Sequence, residues 1–216
     1  MNRYIDSFLD EFEEPKNSRK PDIRYINTYV NKLPKVLLKL WEEFGFCSFL
    51  DGLFSVVDPE EYKVILEEWF TLASIDVKNN KFHVIAKSGY GDLFVWDEVK
   101  GRSYEINAMN GWIIESNLDP QIELEKQIGL FFATKSPYSL DIEDDDTNDE
   151  MFESAVNKFG PLESDEIFGF IPTLVAGGDT NVNNLQKVNI QIYLDLILQF
   201  EKPKVITIDD LAKMAY

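Results

Sequence analysis

The stretch Phe82–Ser116, FHVIAKSGYGDLFVWDEVKGRSYEINAMNGWIIES, constrains the fold more than any other part of this chain. It holds four runs rich in β-branched and aromatic residues: Phe82–Lys87, Asp92–Asp97, Arg102–Ile106 and Trp112–Glu115. Turn chemistry separates them, as Ser88-Gly89-Tyr90-Gly91, Glu98-Val99-Lys100-Gly101 and Asn110-Gly111. Short runs punctuated in this way predict an antiparallel meander. In the second run Leu93 and Val95 share one face, while Phe94 and Trp96 share the other. Both faces are apolar, so the sheet needs cover on both sides. The flanking segments read mostly as helices and supply that cover. The expectation is an α+β fold: a central antiparallel meander sheet covered by helices, with a smaller helix-rich C-terminal part.

Before the meander, Tyr4, Ile5, Phe8, Leu9 and Phe12 recur at helical spacing until Pro15. Lys16–Pro21 reads as a polar, basic loop, and Ile23–Val30 as a short connecting segment. Pro34 suits the first turn of a helix that buries Leu37, Leu38 and Trp41 and stops at Gly45. Leu53–Val57 is a short strand. Asp58-Pro59-Glu60-Glu61 then supplies an N-cap, a proline at the first helical position and a glutamate placed to close a capping box. The helix it starts runs to about Phe70 and buries Tyr62, Ile65, Leu66 and Trp69.

After the meander, Asp119-Pro120 repeats that start signal for a helix through Phe132. Of the ten residues 141–150, seven are acidic, and such a block reads as a loop or partly disordered linker over 138–150. It is the best candidate boundary between two halves of the protein; the domains expected are 1–118 and 119–216, with the acidic linker inside the second and the two packed as one unit. Phe152, Val156 and Phe159 mark a further helix before Gly160-Pro161. Glu166–Val175 returns to a sheet, with Pro172 at an edge or bulge. Leu185 to Phe200 reads as one long, deeply buried helix, followed by a strand-like KVITI and a short helix.

The charge is lopsided: 39 Asp and Glu against 21 Lys and Arg, a net charge of −18. That field repels phosphate backbones and disfavours direct nucleic-acid binding, but it favours rapid capture of a basic partner. One cysteine, Cys47, excludes an intrachain disulfide and suits a reducing compartment. The start, MNRYIDSFLDEFEEP, is acidic where a secretory signal needs a basic head, and no run approaches the ~18 apolar residues of a membrane span. A soluble, cytoplasmic protein is expected, with no membrane contact.

Recognisable chemistry is missing. His83 is the one histidine, and with Cys47 it makes no familiar zinc set and no nucleophile–base signature. Counted from Asp141 as a calcium loop, the acidic block has Asp146 where glycine is needed and Phe152 where the closing glutamate is needed. No Walker or dinucleotide pattern surrounds Gly89-Tyr90-Gly91 or Gly177-Gly178. No catalytic residue, metal or cofactor is expected.

Three stretches nevertheless belong together: LPKVLLKLWEEFGFCSFLDGLFSVVDPEEY, FHVIAKSGYGDLFVWDEVKGRSYEI and FGPLESDEIFGFIPTLVAGGDTNVNNLQKVNIQIYLDLILQ. They carry a leucine-proline start, a GLF turn ending in DPEEY, a GDLFVW strand, a GPLESDEIFGFIP segment, a double glycine and an NLQKV start. In order and spacing this resembles a bacterial family with an N-terminal GAD-like domain and a C-terminal domain of type VI secretion immunity proteins. The resemblance spans roughly Tyr4 to Phe200. Its matched positions, among them Gly52, Asp58, Pro59, Tyr62, Gly91, Asp92, Trp96, Gly111 and Gly160, are turn, cap and packing types.

The resemblance implies an antitoxin that binds a cognate secreted toxin effector, often a nuclease, and occludes its basic active-site face. No catalytic residues carry over. The acid excess fits that task, because an acidic inhibitor complements a basic phosphate-binding cleft. The candidate partner-binding residues are Asp141, Glu143, Asp144, Asp145 and Asp146 of the acidic block. Tyr90, Asp92 and Trp96 join them near the Ser88–Gly91 turn, where exposed aromatics would act as hot spots. Two other readings stay open: a small-molecule-binding or regulatory module with an aromatic pocket near Tyr90, Trp96 and Trp112, and a metal-dependent hydrolase.

Overall fold

In the computed structural model, which describes residues 3–79, 81–119 and 121–214, the apolar spacing at the start gives α1 (Arg3–Phe12) with Ile5, Phe8 and Phe12 buried. The chain continues through β1 (Lys16–Arg19), α2 (Ile23–Thr28), α3 (Lys35–Glu43), β2 (Phe46–Phe49), β3 (Phe54–Val56) and α4 (Pro59–Leu72). The meander follows as β4 (Phe82–Ser88), β5 (Leu93–Asp97), β6 (Gly101–Asn107) and β7 (Trp112–Glu115). The remainder comprises α5 (Leu124–Ala133), α6 (Pro137–Leu140), α7 (Phe152–Phe159), β8 (Glu166–Phe170), β9 (Leu185–Asn189), α8 (Ile190–Phe200), β10 (Lys204–Thr207) and α9 (Ile208–Met214).

The meander is the centre of an eight-stranded sheet ordered β1-β2-β3-β4-β5-β6-β7-β10. Every pairing is antiparallel except β10 on β7, which is parallel. As the alternation of β5 requires, the core divides into two. Phe94 and Trp96 pack with α1, α3 and α5, through Phe8, Trp41 and Phe131 among others. Leu93 and Val95 pack with α4 and α8, through Trp69, Phe70, Tyr193 and Ile197. A bulge between Val84 and Ala86 breaks the alternation of β4, so that Ile85 and Ala86 both lie on the Phe94 side while Val84 stays on the other. Gly91, at φ +94°, closes the β4–β5 turn in a conformation that suits glycine. A separate hairpin, β8–β9, is seated on the sheet rim. The Phe168 N–H donates to the Gly89 carbonyl at 2.8 Å, and Lys87 Nζ donates to the Glu166 carbonyl at 2.8 Å.

Several local expectations are corrected. Lys16–Pro21 is not all loop: β1 is fully exposed and polar, and it becomes a strand only by pairing along β2. Asp58 caps α4 through the Glu60 N–H, but Glu61 closes no capping box, because Arg19 takes its carboxylate at 2.5 Å. The helix expected from Asp119-Pro120 starts at Leu124. Asp119 instead forms a turn with the N–H groups of Gln121 and Ile122, and Pro120 lies outside the described residues. Leu185 to Phe200 splits into β9 and α8 at Asn189, whose side chain caps the Gln191 and Ile192 N–H groups. The α8 helix is one-sided, with Ile192 71% exposed.

Buried lysine and tyrosine give this packing a pH signature. Burial pushes the Lys87 ammonium down to about 8, against the pull of Asp165 and Glu166, and burial likewise lowers Lys135 to about 8. An unfolded lysine holds its proton to about 10.5, so between pH 8 and that value the unfolded chain binds more protons and stability rises with pH. Burial raises the Cys47 thiol to about 12, Tyr193 to about 12, and Tyr25, Tyr29, Tyr62 and Tyr90 further. Those groups keep protons in the fold that the unfolded chain loses from about pH 9 for thiol and about pH 10 for phenol, so stability then falls. Melting temperature at constant ionic strength should therefore rise from neutral pH to a maximum between about pH 9 and 10 and then drop. A steady decline from pH 7.5 upward would contradict this.

Candidate partner-binding surface

The acidic block runs as loop and turn over 141–150, and two of its own carboxylates are spent on holding it against the rest of the chain. Asp141 accepts from the Tyr90 O–H at 2.6 Å, the Ile142 N–H at 2.7 Å and the Phe152 N–H at 3.0 Å. It thereby ties the β4–β5 turn to the first residue of α7, whose N–H has no partner within the helix. Asp144 is 3% exposed and accepts from the N–H groups of Asp146, Thr147 and Val182 at 2.9, 3.2 and 2.8 Å. Those backbone bonds, chiefly from Val182, hold its carboxyl below the ordinary value.

Backbone bonds finish the knob. The Asn148 N–H reaches the Asp144 carbonyl, the Asp144 N–H reaches the Asp149 carbonyl and the Met151 N–H reaches the Ile142 carbonyl. The 179–184 loop clamps it from the side, through the Asp145 N–H on the Thr180 carbonyl at 2.9 Å and Asn181 Nδ2 on Asp146 at 2.7 Å. Glu143, Asp145, Asp146, Asp149 and Glu150 are left exposed, with Glu153 and Asp179 alongside. Glu143 and Glu150 stand opposite each other in an antiparallel bridge. Like charges so placed are destabilising. The surface thus concentrates negative charge on a rigid support.

The expected residues accordingly separate. Glu143, Asp145 and Asp146 come together outside, whereas Asp141 and Asp144 face inward as supports. Tyr90 and Trp96 are 1% and 0% exposed, so the exposed aromatics expected at the Ser88–Gly91 turn are absent from the surface. Burial follows from the two-sided sheet: Trp96 faces the helical layer and Tyr90 is held by Asp141 and the Phe152 ring. Asp92 is half-buried and brackets two turns, accepting from Ser88 Oγ, Asn107 Nδ2 and the Ala108 N–H at 2.9, 3.2 and 3.2 Å. Burial, with the nearby Glu105 charge, raises it to about 6. Three cavities of about 340, 180 and 540 Å³ are lined by residues other than Tyr90, Trp96 and Trp112. Among the described residues no group of three or more His, Cys, Asp or Glu side chains could hold a metal ion. Among the same residues no helix is long and apolar enough to cross a membrane.

Glu153 and Asp179 were not expected at this surface. Asp179 follows the Gly177-Gly178 turn and reaches the knob only because the Asp144 and Asp145 bonds draw that loop in, a long-range consequence with no local signal.

Comparison with known proteins gives this fold a family. Residues 3–110, half of the chain's 216 residues, match the GAD-like domain. Residues 126–201 match the C-terminal domain described as that of T6SS immunity protein Tdi1. No curated protein matches the chain. Among solved structures, the crystal structure of Atu4351 from Agrobacterium tumefaciens is similar, with a TM-score of 0.78 and 22% identity. That likeness covers 94% of this chain and 91% of the other, and it shows a shared fold. The chain belongs to the GAD-like domain family and carries the C-terminal domain of type VI secretion system immunity proteins.

Proposed function

We propose that this protein is an antitoxin that binds a cognate type VI secretion effector in the cytoplasm and blocks it by occupying a basic face, as a nuclease presents. The match of residues 126–201 to an immunity-protein domain carries the reading. The physical support is the knob, where Glu143, Asp145, Asp146, Asp149 and Glu150 point outward from a fixed base. A preformed acidic surface steers a basic partner in and needs little ordering when it binds. A cationic partner would also relieve the Glu143–Glu150 opposition.

The two parts, 1–118 and 119–216, act in this reading as one body. The α5 helix packs against α1, β10 extends the sheet at β7, and Lys87 holds the β8–β9 hairpin. The knob therefore rests on both family-matched regions, since Tyr90 of one holds Asp141 of the other.

Protection is the test. Cells expressing the toxin encoded beside this gene should survive when they also make this protein. Undiminished killing in cells that accumulate the folded protein would remove the antitoxin reading.

A further inference from the structure

In a chain with an acid excess of 18, three lysines converge on one cleft of about 340 Å³. Its walls come from α4, the segment between α4 and β4, the start of β4, and the turns after α2 and β5. The exposed side of α4 brings Glu60, Lys63 and Glu67, whose spacing puts them along one helix face. The start of β4 brings Lys81 and His83, the turn after α2 brings Lys32 and the turn after β5 brings Glu98. Pro59, Leu66, Val77 and Phe82 supply apolar lining.

Three glutamates balance the three lysines in number but not in engagement. Glu60 accepts from the Tyr29 O–H at 2.9 Å and Glu98 lies 2.8 Å from His83 Nε2, while Glu67, like the lysines, makes no hydrogen bond or ion pair with a described residue. The lysine ammonium groups form no ion pair and no hydrogen bond with any described residue. Lys32 lies over the Tyr29 ring, 5.5 Å from its centre, which keeps it at the cleft without using its donors. The unspent hydrogen-bonding capacity of the cleft is therefore mainly donating: three ammonium groups stand without a bonded partner against one such carboxylate, that of Glu67.

We propose that this cleft binds a small phosphate monoester, with its phosphate between Lys32, Lys63 and Lys81 and its apolar body against Phe82 and Leu66. Mobile ammonium groups act as point charges that suit the nearly dianionic phosphate, whereas a single carboxylate leaves part of the cationic capacity unmatched. A cavity of this size lies at the small end of ligand pockets and fits one mononucleotide-sized molecule. The acidic surroundings repel a polyanion such as nucleic acid, but screening within about 8 Å at physiological ionic strength lets a small dianion reach the cleft.

The test titrates the intact protein with AMP, inorganic phosphate and succinate by calorimetry, on wild type, Lys63→Gln, Lys81→Gln, the double variant and Lys39→Gln as a control outside the cleft. These lysines are exposed, so the variants should melt like wild type when unliganded. AMP should bind saturably and phosphate more weakly, with the AMP affinity falling about tenfold for each cleft lysine removed and unchanged in Lys39→Gln. The proposal fails if AMP shows no saturable binding, if the double variant binds it like wild type, or if succinate binds as tightly as AMP.

Discussion

Reversing the charge of Glu143, Asp145, Asp149 and Glu150 to lysine is expected to slow association with a basic toxin at least about tenfold at low salt. All four side chains are exposed, and none of their carboxylates holds the knob together. Asp145 and Asp149 contribute backbone groups only, and Asp146, which accepts from Asn181, is left in place. The variant should therefore melt close to wild type, and it relieves the Glu143–Glu150 opposition only by creating a lysine pair of the same kind. The loss should appear in the association rate, because steering acts before contact, and it should shrink as salt screens both proteins. Stopped-flow mixing with the purified toxin measures it. An association rate equal to wild type at low salt would show that the toxin docks elsewhere.

Asp141→Ala, within the same acidic block, is expected to do something different: it should cost about 3 kcal/mol of stability. Removing that carboxylate strands the O–H of Tyr90, which is 1% exposed, and the N–H of Phe152 at the start of α7. Each buried donor left without a partner costs on the order of 1–3 kcal/mol, and loss of a helix-end acceptor alone costs about 1. Asp145→Ala should stay within about 0.5 kcal/mol of wild type, since its side chain makes no bond to the rest of the described chain. Denaturant melts of the two variants decide the matter. Equal stabilities would mean that the block is a solvated charge run and that Asp141 supports nothing.

This contrast shows what could and could not be read from the residues. The meander was legible because short runs of β-branched and aromatic residues are separated by turn residues, and because Leu93, Phe94, Val95 and Trp96 are all apolar, so that a strand there needs cover on both faces. Helices α3 and α4 were legible from Pro34, Asp58-Pro59 and their apolar stripes. β1 was not, because the four residues Lys16–Arg19 have no strand character of their own and are recruited by β2. The split of Leu185–Phe200 was hidden because its apolar residues fit either period, and Asn189 decides as a cap.

The inward bonds of the acidic block were hidden for a different reason. Composition predicts a loop or partly disordered linker, and it does not say that aspartate also bonds nearby backbone N–H groups, as Asp144 does three times. Which carboxylates face inward depends on Tyr90 and Val182, 51 and 38 residues away from their partners, and no local pattern reports that.

The most direct measurement mixes the purified protein with the toxin encoded beside it and follows association at low and at high ionic strength. A tight one-to-one complex that forms markedly more slowly at high salt is the predicted result. Two folded proteins that form no complex, or a complex whose formation ignores salt, would contradict capture of a basic toxin by the acidic knob.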